Sequence, residues 1–251
     1  MSTSPLMVAR PDEVRAGVIV PFDMALDAEM WRWVPDGVSL LFTRTRQVAT
    51  PVPGGKAFID AEEAVSQSIR DLRTAAPAAY AYAGTSVSFV DGLASEKRLV
   101  ETMRSAGGAE AVTTSGAMLS ALKHLGIRRV ALATPHEAEA AQQLVAFLAE
   151  ADVDVVGRAR LEPTSDVWAV PYERTMQLVR DANADEAEAV FVAGTNIAIY
   201  DVIASLEAEL RKPVLTANQV TMWALLGAID REAVGPHQWL ISGPRVRHDS
   251  G

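Results

Sequence analysis

The stretches Ala83-Gly84-Thr85-Ser86 and Ala193-Gly194-Thr195-Asn196 carry the same chemistry at two places in one chain. In each, a glycine lets the backbone approach a ligand closely, and the residues after it offer N–H groups and neutral side-chain donors. That combination suits the oxygens of a carboxylate or phosphate, the more so where a helix begins just beyond. Either stretch alone also reads as a plain strand-to-helix turn. Their recurrence at equivalent places points to one cleft shared by two similar halves. Pro21-Phe22-Asp23 and Thr134-Pro135-His136 form a second pair, each following the first strand of its half. His136 is the only histidine expected at a strand's carboxyl end, where an imidazole can exchange protons near neutral pH. Asp23 holds the matching place and is either its helper or a helix N-cap. Ser115 and Asn218 follow the fourth strands, in Thr113-Thr114-Ser115-Gly116 and Thr216-Ala217-Asn218-Gln219. They line the same cleft or cap helices.

What is missing narrows the chemistry. The 251 residues include no cysteine, which removes disulfides, thiolate metal sites and any cysteine nucleophile or acid. His124, His136, His237 and His248 show no HExxH-type spacing, so no metal is expected. There is no GxGxxG after a strand and no GxSxG around Ser86, which speaks against a dinucleotide cofactor and an acyl-enzyme serine. The expectation is therefore that no cofactor is needed. A formal net charge of -9, with no basic cluster beyond Arg128-Arg129, argues against nucleic acid. No apolar run approaches the ~20 residues that span a bilayer, and Met1 to Arg10 lacks a signal-peptide pattern. A cytoplasmic protein with no membrane partner follows as the expectation.

The elements that position these residues alternate regularly. Strands are predicted at 16–20, 38–42, 79–83 and 111–113, then again at 129–133, 153–157, 189–192 and 213–216. Helices are predicted at 25–33, 60–74, 95–106 and 114–124, then at 137–150, 171–182, 198–210 and 219–229. Tyr80-Ala81-Tyr82-Ala83-Gly84-Thr85-Ser86 aligns with Val190-Phe191-Val192-Ala193-Gly194-Thr195-Asn196, so the plan is duplicated. Strands separated by helices imply parallel sheets. The fold class is α/β: two pseudo-symmetric Rossmann-like halves, each a four-stranded parallel sheet flanked by helices, with the site in the cleft between them. A (β/α)8 barrel is the alternative. The first half is placed at 15–114, with 218–236 packing back on it, the second at 115–217, and a tail at 237–251. Trp239-Leu240-Ile241 is expected to dock on a partner subunit, and Trp31, Trp33, Trp168 and Trp223 belong to core or interface.

At these residues the chain resembles the aspartate/glutamate racemase superfamily, in the branch of maleate cis-trans isomerases, arylmalonate decarboxylases and ectoine-utilisation proteins. The resemblance covers roughly residues 15 to 230. It rests on Gly17-Val18-Ile19-Val20-Pro21, Gly84-Thr85-Ser86 with Ser88-Phe89, Thr113-Thr114-Ser115, Arg129 to Pro135, Gly194-Thr195-Asn196, and Asn218-Gln219 with Trp223. It implies an active site between two halves, no cofactor, a small carboxylate substrate and homo-oligomers. It also implies a substrate pocket built from Pro21, Gly84, Thr85, Ser86, Ser115, Gly194, Thr195, Asn196 and Asn218. The branch's cysteines would fall at Gly84 and Gly194, and the tyrosine of its Thr-Pro-Tyr motif is replaced by His136. Two-base racemisation and thiolate addition are thus closed to this chain. Decarboxylation or isomerisation through an enolate-like intermediate remains, with His136 and Asp23 as the proton-handling pair. The alternatives are a catalytically silent carboxylate-binding protein, or a chain from which both cysteines have been taken. Loss of two side chains is expected to widen the cleft.

Overall fold

The computed structural model describes residues 13–47, 56–161 and 166–243. Among the described residues eight strands form two separate four-stranded sheets, not one closed barrel. The first sheet comprises β1 (Val14–Val20), β2 (Val38–Arg44), β3 (Ala79–Tyr82) and β4 (Glu110–Thr113), in the order β2-β1-β3-β4. The second comprises β5 (Arg129–Thr134), β6 (Asp154–Arg160), β7 (Ala189–Val192) and β8 (Val214–Thr216), in the equivalent order β6-β5-β7-β8. All pairings are parallel, so all strands of a sheet end at one edge. In an open parallel sheet that carboxyl edge is where ligands bind.

Side-chain alternation with period two sorts the strands into faces. Val18 on β1 and Ala79 and Ala81 on β3 face one way, against Met30 and Trp33; Ile19, Tyr80 and Tyr82 face the other. That second face is covered by α2 (Lys56–Leu72) and α4 (Gly92–Gly107) through Val65, Ile69, Leu99 and Met103. In the second sheet, Ala131 and Val190 face α7 (Tyr172–Ala182) and α8 (Ile203–Leu210), while Leu132 and Phe191 face α6 (Ala138–Glu150). Two further helices cross between the halves. The buried side of α5 (Thr114–Leu125), Ala117, Met118, Ala121 and Leu122, joins the core around Leu132 and Phe191. In return α9 (Ala217–Gly227) lies against β3 and β4 and gives Met222, Leu225 and Leu226 to the face formed by Val18 and Ala81. Both helices start from a threonine N-cap, where Thr113 and Thr216 accept the N–H of Gly116 and Gln219.

Several boundaries differ from the sequence expectation for identifiable reasons. The helix expected at 25–33 is a short α1 (Asp27–Met30) running into a 3-10 turn, Trp31–Trp33. A four-residue α3 (Ser86–Phe89) precedes α4. The helix expected from 198 begins only with a 3-10 turn at Tyr200–Val202, because Ile197 and Ile199 are buried and the N–H groups of Ile199 and Tyr200 are taken by the Glu29 carboxylate. Residues 237–243 pack on their own chain. Trp239–Ser242 forms α10 on its own chain, with Leu240 buried, Gln238 accepting from Trp33 Nε1 (2.8 Å) and Glu207 accepting from the Trp239 N–H (3.0 Å). The rest of the expected tail, 244–251, lies outside the described residues. Trp33 is core, whereas Trp31 and Trp168 are exposed. No described helix is long and apolar enough to cross a membrane.

Candidate active site between the two halves

The carboxyl ends of β1 and β3 in one half meet those of β5 and β7 in the other, and the contacts are reciprocal. The turn after β3 bonds to the turn after β5: Thr85 Oγ1 and His136 Nε2 are 3.0 Å apart. The turn after β7 bonds to the turn after β1: Asn196 Nδ2 donates to the Asp23 carbonyl (2.9 Å), and Asn196 Oδ1 accepts from the Ala25 N–H (2.9 Å). Each Gly-Thr turn expected from the sequence therefore meets the turn that follows the first strand of the opposite half.

His136 is half-buried, its ring edge-on to Phe89 at 5.8 Å. Its N–H backbone donates to Thr134 Oγ1, which fixes the turn. Burial pushes the imidazole down to about 4, so in the free protein it is neutral at physiological pH. Asp23 is exposed, and it enters the interface through its backbone carbonyl. Thr85 is buried at 8 % exposure; its carbonyl and that of Gly84 both lie within hydrogen-bond reach of Ser88 Oγ, which in turn sits 2.6 Å from Ser115 Oγ. Ser115 thus braces the Gly84-Thr85 turn from behind. Ser86 opens α3, and its side chain lies outside the described residues. α3 is only four residues long, and no helix follows Asn196 directly, so helix dipoles contribute little at either turn.

Thr195 is 7 % exposed, yet among the described residues its hydroxyl has no hydrogen-bond partner. The amides of Thr85, Thr195 and Asn196 likewise donate to no described group. These are free neutral donors at adjoining strand ends, which is what an anion requires. Asn218 is spent elsewhere. Its Nδ2 donates to the Thr195 carbonyl (3.0 Å) and to Glu29 Oε1 (3.1 Å), while its own Oδ1 is buried without a partner. It holds the second turn from below. Glu29, on α1, accepts from Ile199 N, Tyr200 N and Asn218, which ties the first half to the second. Burial raises its pKa against the opposing pull of those donors and of Arg32.

The two glycines are not vacancies. A Cβ on Gly84 would lie 2.7 Å from Tyr82 Oη and 3.1 Å from Pro21 Cγ. A Cβ on Gly194 would lie 2.8 Å from Pro135 Cγ, and the residue has φ +115, where side-chain-bearing residues are strained. The expected widening of the cleft does not occur, because a phenol and two proline rings occupy the space. Glu29 and Tyr82 escaped the sequence reading. For Glu29 there is no local signal; for Tyr82 the signal was its place two residues before Gly84. No group of three or more metal-ligating side chains occurs among the described residues.

Comparison with known proteins adds the following. The arylmalonate decarboxylase family model matches residues 53–238. An arylmalonate decarboxylase from Bordetella bronchiseptica is 30 % identical over 216 residues, which cover 82 % of this chain and 87 % of that protein. A maleate isomerase from Nocardia farcinica is 26 % identical over 248 residues, covering 94 % and 96 %. A crystal structure of arylmalonate decarboxylase superposes with a TM-score of 0.81 at 26 % identity, covering 92 % of this chain and 100 % of that one.

Proposed function

The chain belongs to the arylmalonate decarboxylase family, and from that premise we propose that it decarboxylates a small malonate-type diacid without cofactor or cysteine. The observation that carries the reading is the reciprocal meeting of the Gly-Thr turns with the His136 and Asp23 turns, which leaves the Thr195 hydroxyl and three amides unpartnered along the seam between the halves.

One carboxylate of the substrate dianion is held by those donors, with the Thr85 hydroxyl beside it. The bond from the α-carbon to the other carboxylate breaks, CO2 leaves, and the electron pair flows into the held carboxylate to give an enediolate. Neutral donors already aimed at those oxygens stabilise the growing charge without reorganising. A proton on His136, taken from solvent when the dianion binds, is then delivered to the α-carbon, giving the monocarboxylate. Asp23 serves the site through its backbone carbonyl, which accepts from Asn196 Nδ2 and holds the turn after β1 against the second half.

Cysteine-free chemistry is supported by the crowding at both glycines. At Gly194 a thiol-bearing residue meets a strained φ and a rigid proline ring, and at Gly84 it would have to displace the Tyr82 phenol. A site from which two thiols had been removed would be roomy instead. Isomerisation of maleate by thiolate addition has no nucleophile here.

The test is release of CO2 from phenylmalonate and 2-methyl-2-phenylmalonate, with Thr85→Val and His136→Gln alongside the natural chain. Turnover that falls at least tenfold in both variants is expected. Turnover indifferent to both would refute the residue assignments. Tight binding without turnover would instead establish the silent carboxylate binder, a reading favoured by the neutrality of His136 in the free protein.

A further inference from the structure

Tyr82 ends β3 and Gly84 follows two residues on, with the phenol extended so that its Oη lies 2.7 Å from the place of a Gly84 Cβ. Gly84 lies outside the left-handed region, so its backbone does not demand glycine. What demands it is the Tyr82 side chain. The second half shows no such arrangement: Val192 takes the matching position, and Gly194 is required instead by its φ of +115 and by Pro135. The phenol is therefore a feature of one half only, not of the duplicated plan. Its ring is anchored in the core among Ile19, Val65 and Val87, at 3 % exposure. Its hydroxyl has no hydrogen-bond partner among the described residues, although it lies beside Pro21 and the Gly84-Thr85 turn. Unlike the enclosed, unpartnered Oδ1 of Asn218, the Tyr82 oxygen is not fully shielded from solvent, so a molecule arriving at the turn can reach it.

We infer that the Tyr82 hydroxyl is a ligand-contacting donor. It occupies the space that a side chain at Gly84 would fill, and it gives a hydrogen bond to the carboxylate held at the Gly84-Thr85 turn. Burial and the nearby Asp23 charge both push its pKa up, so the phenol keeps its proton across the working range. It is a neutral donor fixed by a packed ring, with little side-chain freedom left to lose on binding. The inference rests on the carboxylate site proposed above and adds a residue to it.

Phenylacetate, the product-like monocarboxylate that cannot lose CO2, separates the two readings. Its dissociation constant would be measured calorimetrically for the natural chain, Tyr82→Phe and Thr85→Val, and the Tyr82 ring 13Cζ resonance followed in the natural chain. Tyr82→Phe keeps the packed ring and loses only the hydroxyl. The expected results are a roughly tenfold weaker Kd for Tyr82→Phe, in the range of one hydrogen bond to a charged group, and a Tyr82 resonance that moves on saturation. If Thr85→Val weakens binding while Tyr82→Phe stays within twofold, the carboxylate site stands and the role of Tyr82 is overturned. A natural-chain resonance that does not move on saturation overturns it equally, even if Tyr82→Phe fails to fold. If phenylacetate does not bind the natural chain at all, both readings fail together.

Discussion

Binding of a carboxylate next to His136 should draw a proton onto it. In the free protein the imidazole sits at about 4 because it is half-buried, with its Nε2 against a neutral hydroxyl, Thr85 Oγ1, at 3.0 Å. A carboxylate oxygen that accepts from the Thr85 hydroxyl would sit roughly 4 Å from Nε2. At that separation and an effective dielectric of about 20, two unit charges attract by about 4 kcal/mol. That equals a rise of about 3 pK units, to roughly 7 in the complex. Between about pH 4 and pH 7 the complex then holds a proton that the free protein lacks. Linkage requires the affinity for phenylacetate to fall about tenfold per pH unit as pH rises through that window. Calorimetry at pH 5.5 to 6.5, in two buffers of different ionisation enthalpy, should report close to one proton taken up per ligand bound. His136→Gln should abolish both the uptake and the slope. A natural chain that binds with no proton uptake and a flat pH dependence would refute the placement of His136 beside the ligand charge.

Stability should respond to two buried groups of opposite sign. His136 is lowered from 6.5 to about 4, so the stability associated with its neutral form is complete above pH 6.5 and is lost as pH falls towards 4, by up to about 3 kcal/mol. Glu207 is raised from 4.5 to about 7 by burial, so it costs nothing below pH 4.5 and destabilises increasingly as pH rises to 7, by a similar amount. The two slopes oppose each other in urea unfolding of the natural chain, and His136→Gln or Glu207→Gln should each unmask the other. Gly84→Ala should cost about 1–3 kcal/mol by overpacking against the phenol. In a Tyr82→Leu background that cost should fall by more than ~1 kcal/mol, and strict additivity in the double-mutant cycle would contradict the Gly84–Tyr82 pairing. Gly194→Ala should cost about 1–3 kcal/mol from its backbone conformation, and Pro135→Ala should rescue only part of it; full rescue would show that φ +115 is not the constraint.

The strands and the paired turns were legible because their signals are local. Tyr80-Ala81-Tyr82-Ala83 and Val190-Phe191-Val192-Ala193 put opposite faces into different cores, and each run stops at a glycine. The break after Asn196 was not legible, since the carboxylate that captures the N–H groups of Ile199 and Tyr200 comes from Glu29 in the other half. Nothing in the local pattern of α1 marks Glu29 as buried. Trp239-Leu240-Ile241 was readable as adhesive, but not as adhesive to its own chain, because that depends on Gln238 reaching Trp33 and Glu207 reaching the Trp239 amide. Tyr82 was readable by strand periodicity, and what the sequence did not reveal was how far its ring extends towards Gly84.

The crossing of α9 governs how the molecule can be made. Met222, Leu225 and Leu226 seal a face of the first sheet whose strands are all complete by Thr113. A nascent chain therefore carries that face covered only in part, by Met30 and Trp33, while the second half is synthesised, and α9 follows only after the last strand of the second sheet. Closure over such sequence distances is slow, and a partly covered apolar sheet invites association in the interval. The duplication visible along the chain is thus not a division into two self-sufficient folding units. Neither half completes its core until α9 is in place, since Met222, Leu225 and Leu226 belong to one cluster and Val220 to the other.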